Sequence, residues 1–214
     1  MLRIAVVLLS CVACLGALPS RAAETIDPAI AAAEGDVLWY DLKLLKVEGQ
    51  GWSDRSADYD RLPARAEGKV TTAVWGLSRH SAGICARFLT DATTIQARWT
   101  LTSDRLAMPH MPATGVSGLD LYVRQENGTW RWLANGRPEK QTNVATLVSG
   151  IPAGTREFLL YLPLYNGAKS VEIGLPKGAK LSQADAWGPG ERKPIVFYGT
   201  SITQGGCASR PGNG

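Results

Sequence analysis

The chain has 214 residues, of which 45% are hydrophobic and 20% are charged, and its formal net charge is +4. This composition is typical of a globular protein and excludes a disordered chain or a collagen-like fibre. The basic residues are scattered, and no zinc-finger or ribonucleoprotein motif accompanies them, so no nucleic-acid partner is predicted.

The first segment has the pattern of a secretory signal peptide. Arg3 precedes an apolar stretch at residues 4–18, and Ser20 and Ala22 occupy the −3 and −1 positions of a cleavage site after Ala22. The stretch is about 15 residues long, shorter than the ~20 that span a bilayer, so a membrane anchor is disfavoured. We therefore expect a signal at residues 1–22, an exported protein (periplasmic or extracellular), and no membrane contact beyond the signal.

Cleavage there removes Arg3 and Arg21 and no acidic residue, so the net charge falls from +4 to +2. A lipoprotein site at Cys11 is the less favoured alternative, because this cysteine stands early in the apolar run. The processed chain keeps Cys85 and Cys207. Cys85 lies in an apolar run and is interpreted as a buried hydrophobic residue. Export would permit a disulfide between the two, but the sequence leaves that pairing open.

The region from Asp36 to Pro176 predicts short strands separated by turns. Runs rich in β-branched and aromatic residues occur at 37–40, 72–75, 86–89, 94–99, 156–162 and 170–175. Residues 163–168 are expected to form a loop that ends in an Asn-Gly turn. This spacing predicts a β-sandwich of the jelly-roll type over residues 24–188, followed by a linker at the Gly/Pro-rich residues 187–190.

The clearest local pattern is a hairpin around Asn127 and Gly128. An Asn-Gly pair accepts positive φ at both positions of a two-residue turn. Trp130 and Trp132 share one face of the following strand, and we expect them in the core. Asn127 also begins an N-glycosylation sequence with Thr129, but the hairpin explains the same residues and is favoured.

Several acidic residues stand in unusual places. Asp120 interrupts a hydrophobic strand, and we expect it to accept hydrogen bonds from loop amides rather than act as an acid. Asp54, Asp58 and Asp60 resemble a calcium loop only superficially, because the glycine and the terminal glutamate of an EF-hand are missing. A solvated loop is the expected structure.

The chain has two histidines, His80 and His110, and both precede Ser201 in the sequence. Each is expected to be solvated or hydrogen-bonded in a loop, although the Pro/Met loop around His110 would face a second domain if the two pack together. Neither has a cysteine or histidine at ligand spacing, so no metal or other cofactor is predicted.

Beyond the linker the pattern changes to a continuous apolar run at residues 194–198, followed by Gly199, Thr200 and Ser201. A strand buried on both faces has this appearance. A serine directly after such a strand suits a nucleophile, because the strand-to-helix turn exposes its hydroxyl and the amides that follow face a developing oxyanion. Gly199 would permit the turn and close approach of the substrate. The alternative is that Ser201 only caps a helix, since Thr203 breaks the Gly-x-Ser-x-Gly pattern.

Two motifs resemble those of a known family. The stretch 195–205, Ile-Val-Phe-Tyr-Gly-Thr-Ser-Ile-Thr-Gln-Gly, resembles the first sequence block of the SGNH (GDSL-type) hydrolases, with Thr in place of Asp before the serine. Residues 118–122, Gly-Leu-Asp-Leu-Tyr, are similar to the Gly-x-Asp-Leu-Tyr signature of a β-domain that precedes this hydrolase domain in some secreted bacterial esterases. The resemblance implies a mainly β protein. A jelly-roll-like sandwich would be followed at 193–214 by the first strand and turn of a flavodoxin-like α/β hydrolase domain.

The resemblance also implies a secreted serine esterase or acylhydrolase that deacylates carbohydrate esters without a cofactor. Ser201 matches the nucleophile, and its own N–H would be an oxyanion donor. The other oxyanion donors of the family and its Asp-x-x-His pair have no counterpart here, so we expect the chain to be truncated at its C-terminal end and inactive alone. The implied partners are an acylated carbohydrate or other ester and an intramolecular contact between the two domains. The alternative is a carbohydrate-binding or docking module without catalysis, with Trp52, Trp75 or Trp99 stacking on sugars.

Overall fold

The structure is a computed structural model that describes residues 24–185 and 195–214. The predicted signal peptide and the predicted linker at 187–190 lie outside the described residues. Within them, no helix is long and apolar enough to cross a membrane. In chain order the strands are β1 (Ala32–Glu34), β2 (Val37–Asp41), β3 (Lys46–Glu48), β4 (Cys85–Thr90), β5 (Thr94–Leu101), β6 (Leu119–Arg124), β7 (Trp130–Gly136), β8 (Thr142–Ser149), β9 (Arg156–Tyr161), β10 (Ala168–Pro176) and β11 (Leu181–Gln183), and the α-helices are α1 (Thr72–Ser78) and α2 (Ala113–Val116).

The strands form two antiparallel sheets that enclose one hydrophobic core. The first sheet has the strand order β1-β2-β10-β5-β8. The second has the order β11-β4-β9-β6-β7, and β3 pairs with β4 on the same side as β11. The predicted mainly β sandwich is therefore confirmed.

Alternation along β5 builds much of this core. Ile95, Trp99 and Leu101 are buried, whereas the residues between the buried positions remain partly exposed. The second sheet contributes Phe88 and Phe158, whose rings stack with centroids 5.5 Å apart. Each large apolar side chain buried in this way stabilises the fold by roughly 1.5–3 kcal/mol.

The strand predicted at residues 72–75 is wrong, because these residues begin helix α1. The hydroxyl of Thr71 accepts a hydrogen bond of 3.3 Å from the N–H of Val74 and caps the helix. Val74 and Leu77, two of the apolar residues of this helix, are exposed. A local cap therefore decides the conformation here, where β-propensity suggested a strand.

The predicted hairpin joins β6 to β7, but its turn differs from the prediction. The N–H of Gln125 donates to the carbonyl of Thr129, and the N–H of Gly128 donates to the carbonyl of Gln125, both at 2.8 Å. Gly128 has a φ of 81°, whereas Asn127 does not have a positive φ. The connection is therefore a three-residue loop with glycine at the left-handed position, and the predicted two-residue turn is wrong.

Three loops meet at one end of the sandwich: the one before β4, the one between β5 and β6, and the one between β9 and β10. Asn166, in the last of these, is buried, and its side chain accepts from the N–H of Ser103 and donates to the hydroxyl of Ser117. The N–H of Tyr165 donates to the carbonyl of Val116 at 3.1 Å. These bonds fix the loops relative to one another and create the surface against which residues 200–214 pack.

The two cysteines of the described residues do not form a disulfide. Cys85 is buried in β4, as predicted, and Cys207 is exposed, and both thiols are free. Burial raises the pKa of the Cys85 thiol to about 12, so this thiol stays protonated at neutral pH.

Candidate active site

Residues 200–206 form a single helical turn that carries Ser201. The N–H of Gln204 donates to the carbonyl of Thr200, and the N–H groups of Gly205 and Gly206 donate to the carbonyls of Ile202 and Ser201. Gly205 has a φ of 89°. This pattern is a Schellman motif, in which a left-handed glycine ends a helix. The expected turn after the apolar run is present, and the glycine pair ends it after one turn.

Ser201 lies exposed on this turn, as a nucleophile requires. Its carbonyl accepts two hydrogen bonds, one of 2.7 Å from the N–H of Gly206 and one of 3.1 Å from the hydroxyl of Tyr165. Among the described residues, no group accepts a hydrogen bond from the N–H of Ser201. The carbonyl is therefore fixed, whereas the N–H has no acceptor within residues 24–185 and 195–214.

Residues 195–199, which precede the serine, have no regular secondary structure. Ile195, Val196 and Phe197 are each 80% exposed and Tyr198 is 98% exposed. A strand needs a hydrogen-bonded neighbour, and the described part of the chain offers none at this position. The sequence predicted that these apolar residues form a strand buried on both faces. In the structure their side chains face solvent.

Gly199 was predicted to allow the turn and the approach of substrate. In the structure it allows the side chain of Thr203 to lie close to the backbone. A Cβ atom at this position would overlap the hydroxyl of Thr203, one turn further along. The glycine is thus explained by the tight packing of the turn that bears Ser201.

Gln204 attaches the turn to the sandwich. Its side chain is only 8% exposed, and its Nε2 lies 3.1 Å from the carbonyl oxygen of Leu164 and 3.2 Å from Nδ1 of His80. His80 and Leu164 belong to two of the three loops at this end of the sandwich. The turn that carries Ser201 therefore packs directly on the β-domain.

His80 is not placed to act as the base for Ser201. Burial, followed by the nearby charge of Arg61, lowers its pKa to about 4, so the ring is neutral at neutral pH. Its Nδ1 faces Gln204, and within the described residues no hydrogen bond joins the hydroxyl of Ser201 to either histidine. The second histidine, His110, is exposed.

The Pro/Met loop that carries His110 packs on residues 200–214, called the segment from here on. The contact is made by Met111 and not by His110. Met111 is buried with Val116 and Leu164 in a small cluster that Ala208 contacts. A Cβ atom on Gly115 would overlap the main-chain oxygen of Ala208. This glycine allows the backbone of the segment to approach helix α2 closely.

Asp120 attaches the far end of the segment. Its carboxylate is fully buried and accepts hydrogen bonds of 2.9 Å from the N–H of Gly212 and 2.7 Å from Nε1 of Trp132. Burial raises the pKa of Asp120, although these hydrogen bonds and the charge of Arg210 act in the opposite direction. The prediction that Asp120 accepts loop amides is confirmed.

Trp132 is 46% exposed, so its predicted place in the core is wrong. The guanidinium of Arg210 lies 5.1 Å from the centre of its ring, and Nε of Arg210 lies 3.3 Å from Oδ2 of Asp120. This cation–π contact and ion pair hold Arg210 between the two side chains. Trp132 faces outward because it forms part of the surface that binds the segment.

In the acidic loop Asp54 and Asp58 are exposed as predicted, whereas Asp60 is not. Asp60 is buried, accepts from the N–H of Ala57 and pairs with Arg79 at 2.7 Å. Asp58 pairs with Lys43 at 3.0 Å. Asp54 pairs with Arg65. Within the described residues, no three His, Cys, Asp or Glu side chains are grouped as metal ligands would be.

Family comparisons agree with this geometry. The family described as GxDLY, the N-terminus of SGNH hydrolase-type esterases, matches residues 37–181. The chain belongs to this esterase family. The GDSL-like lipase/acylhydrolase family matches residues 192–213, which include Ser201. The GxDLY signature contains Asp120, so the residue that binds Gly212 is part of the motif that names the N-terminal domain.

Three solved structures are similar. A protein of Bacteroides ovatus assigned as a GDSL-like lipase is 32% identical, with a TM-score of 0.75 over 82% of this chain and 50% of its own. The salicylyl-acyltransferase SsfX3 of a tetracycline biosynthetic pathway is 18% identical, with a TM-score of 0.49 over 78% of this chain and 43% of its own. A family two carbohydrate esterase of Clostridium thermocellum is 15% identical, with a TM-score of 0.33 over 49% of this chain and 28% of its own. The likeness to the Bacteroides ovatus protein supports the esterase family, and the chain spans half of that protein's length. No curated protein matches the chain.

Proposed function

We propose that the chain is the N-terminal part of an exported serine esterase or acylhydrolase, in which Ser201 attacks the carbonyl carbon of an ester. One observation carries this proposal: Ser201 is exposed on a turn whose backbone is fixed, within the segment that matches the GDSL-like lipase/acylhydrolase family. An exposed hydroxyl on a fixed backbone, beside an N–H that donates to no described residue, is the arrangement that suits attack and oxyanion binding.

In the proposed reaction the hydroxyl oxygen of Ser201 bonds to the ester carbon while its proton passes to a histidine. The tetrahedral oxyanion accepts a hydrogen bond from the N–H of Ser201; the C–O bond of the ester then breaks, the histidine returns the proton to the departing oxygen, and the alcohol leaves as the acyl-enzyme forms. Water then releases the acid. His80 is not the base in this proposal, because its Nδ1 faces Gln204 and, within the described residues, it makes no hydrogen bond to Ser201. The base and its carboxylate partner would come from the part of the hydrolase domain beyond residue 214.

The 214-residue chain is therefore expected to be inactive by itself. The gene product expressed to its natural stop codon should hydrolyse p-nitrophenyl acetate, and the Ser201→Ala variant should not. Ser56→Ala, which changes an exposed serine in the acidic loop of the β-domain, serves as the matched control and should retain full activity. Hydrolysis by the 214-residue chain that disappears in Ser201→Ala would contradict the expected inactivity, and full activity of Ser201→Ala in the complete protein would contradict the nucleophile.

We propose an acylated carbohydrate as the substrate, on the family resemblance of the two motifs. Release of acetate from acetylated xylo-oligosaccharides, compared with hydrolysis of a triglyceride of short chains, tests this choice. A strong preference for the triglyceride would contradict it.

The second candidate function is a carbohydrate-binding or docking module. Packing of residues 204–212 on the end of the sandwich favours docking: Trp132, the exposed tryptophan best suited to stack on a sugar, is occupied by Arg210 instead. Trp52 is also exposed and remains a candidate for sugar contact. A glycan array probed with the chain distinguishes the two roles, since binding that Trp52→Ala removes would support a carbohydrate-binding module.

A further inference from the structure

The buried amide of Gln204 is held by β-domain residues that are distant in sequence. His80 lies 124 positions before it and Leu164 lies 40 positions before it. Nε2 of a glutamine carries two hydrogens. One points to the carbonyl of Leu164, which can only accept, and the other is available to Nδ1 of His80. This arrangement requires Nδ1 to be unprotonated, so the imidazole carries its hydrogen on Nε2.

A second contact reaches the serine itself. The hydroxyl of Tyr165 donates to the carbonyl oxygen of Ser201 at 3.1 Å. Tyr165 follows Leu164 directly, and its N–H is bonded to the carbonyl of Val116. The ring of His80 lies 6.0 Å from that of Tyr165, centre to centre. The turn that bears Ser201 is thus held at Ser201 by the side chain of Tyr165 and at Gln204 by the side chain of His80.

The loops that present these side chains are themselves fixed. Nε of Arg61 donates to the carbonyl of His80 at 3.0 Å, and its Nη2 donates to the carbonyl of Leu77 at 2.6 Å. The buried side chain of Asn166 holds the loop that contains Tyr165. A change in either loop would therefore shift the turn, and a displacement of about 1 Å at a nucleophile costs about 100-fold in rate.

We propose that His80 and Tyr165 are positioning residues of the esterase: through Gln204 and the carbonyl of Ser201, the β-domain sets the position of the nucleophile. This inference rests on the proposed function. It gives the β-domain a part in the chemical step, and it gives His80 the role of a neutral hydrogen-bond acceptor rather than that of a base. The ester need not contact either residue.

The test uses the complete protein and separates kcat from KM. His80→Leu removes the acceptor for Gln204 and should lower kcat at least tenfold while KM changes less than about twofold. His80→Asn places an amide oxygen near the position of Nδ1 and should restore kcat to within about threefold of wild type. Tyr165→Phe keeps the ring, removes the donor to Ser201 and should also lower kcat. His110→Asn, at the exposed histidine, is the control and should leave kcat unchanged.

Three results would overturn the inference: an unchanged kcat in His80→Leu, a loss of kcat that His80→Asn does not restore, or a KM effect without a kcat effect. A measurement on the 214-residue chain keeps the inference testable if His80→Leu does not fold. The ¹⁵N chemical shifts of the His80 ring at pH 7 should show hydrogen on Nε2, and hydrogen on Nδ1 would contradict it. Failure of the proposed function is distinguishable, because it would appear as activity in Ser201→Ala.

Discussion

The carboxylate of Asp120, buried in the second sheet, accepts a hydrogen bond of 2.9 Å from the main-chain N–H of Gly212, which lies 92 residues further along the chain. Together with the contact between His80 and Gln204, it holds the segment after Ser201 at two points. Asp120 belongs to the GxDLY signature, and its contact with Gly212 gives this signature residue a structural role.

Loss of the Asp120 carboxylate should release the end of the segment. Asp120→Ala leaves Arg210, whose side chain is 29% exposed, and the indole N–H of Trp132 without this acceptor, and losing such hydrogen bonds costs roughly 1–3 kcal/mol. Urea unfolding of the chain should show a free energy of unfolding lower by that amount. Asp104→Ala, at an exposed loop position, is the control and should change it by less than about 0.5 kcal/mol. Equal effects of the two variants would contradict the role of Asp120.

A methyl group at Gly115 should displace the segment without harming the sandwich. In Gly115→Ala the added Cβ overlaps the main-chain oxygen of Ala208, which cannot move independently of the segment. Limited proteolysis should then cut within residues 195–214 faster than in wild type. Gly76→Ala, in the exposed helix α1, meets open space and should leave the cleavage rate unchanged. Protection of the segment in Gly115→Ala would argue against this contact.

His80 should make stability depend on pH. Its pKa is lowered to about 4 in the folded chain, against an ordinary 6.5, so between these values the unfolded chain binds a proton that the folded chain does not. The free energy of unfolding therefore falls as the pH decreases from 6.5 towards 4, by at most about 3 kcal/mol. Urea unfolding at several pH values should show a weaker fall in His80→Asn than in wild type. A slope in His80→Asn identical to that of wild type would contradict the prediction.

The two thiols should differ in reactivity. Cys207 is exposed, whereas Cys85 is buried with its pKa raised to about 12. Iodoacetamide at neutral pH should modify Cys207 in the folded chain and reach Cys85 only after unfolding, because the thiolate is the reactive form. Peptide mapping by mass spectrometry identifies the modified residue. Equal labelling of both in the native chain would be inconsistent with the burial of Cys85.

The sequence was sufficient where a local pattern determines the structure. β-branched and aromatic residues mark β5, the Asn-Gly pair marks the hairpin, and an aspartate inside a hydrophobic strand indicated that Asp120 accepts amides. The strand predicted at 72–75 failed because the side chain of Thr71 caps a helix there. The cap depends on the side chain of one residue, so a β-propensity averaged over several residues does not detect it.

The site itself depends on contacts between distant residues. Trp132 was expected in the core because nothing near it in the sequence indicates that Arg210 stacks on its ring. The contact between His80 and Gln204 joins two loops that share no motif. Gln204 stands among other polar residues near Ser201, so the sequence does not single it out, and its partner His80 can be found only from the fold.

The nucleophile is tested most directly by covalent labelling. The gene product expressed to its natural stop codon is treated with a fluorophosphonate, digested and mapped by mass spectrometry, with Ser201→Ala in parallel. The proposed function predicts one adduct, on Ser201, together with loss of ester hydrolysis, and no adduct in the variant. Hydrolysis with the adduct on another residue, or an unchanged rate in Ser201→Ala, would contradict it.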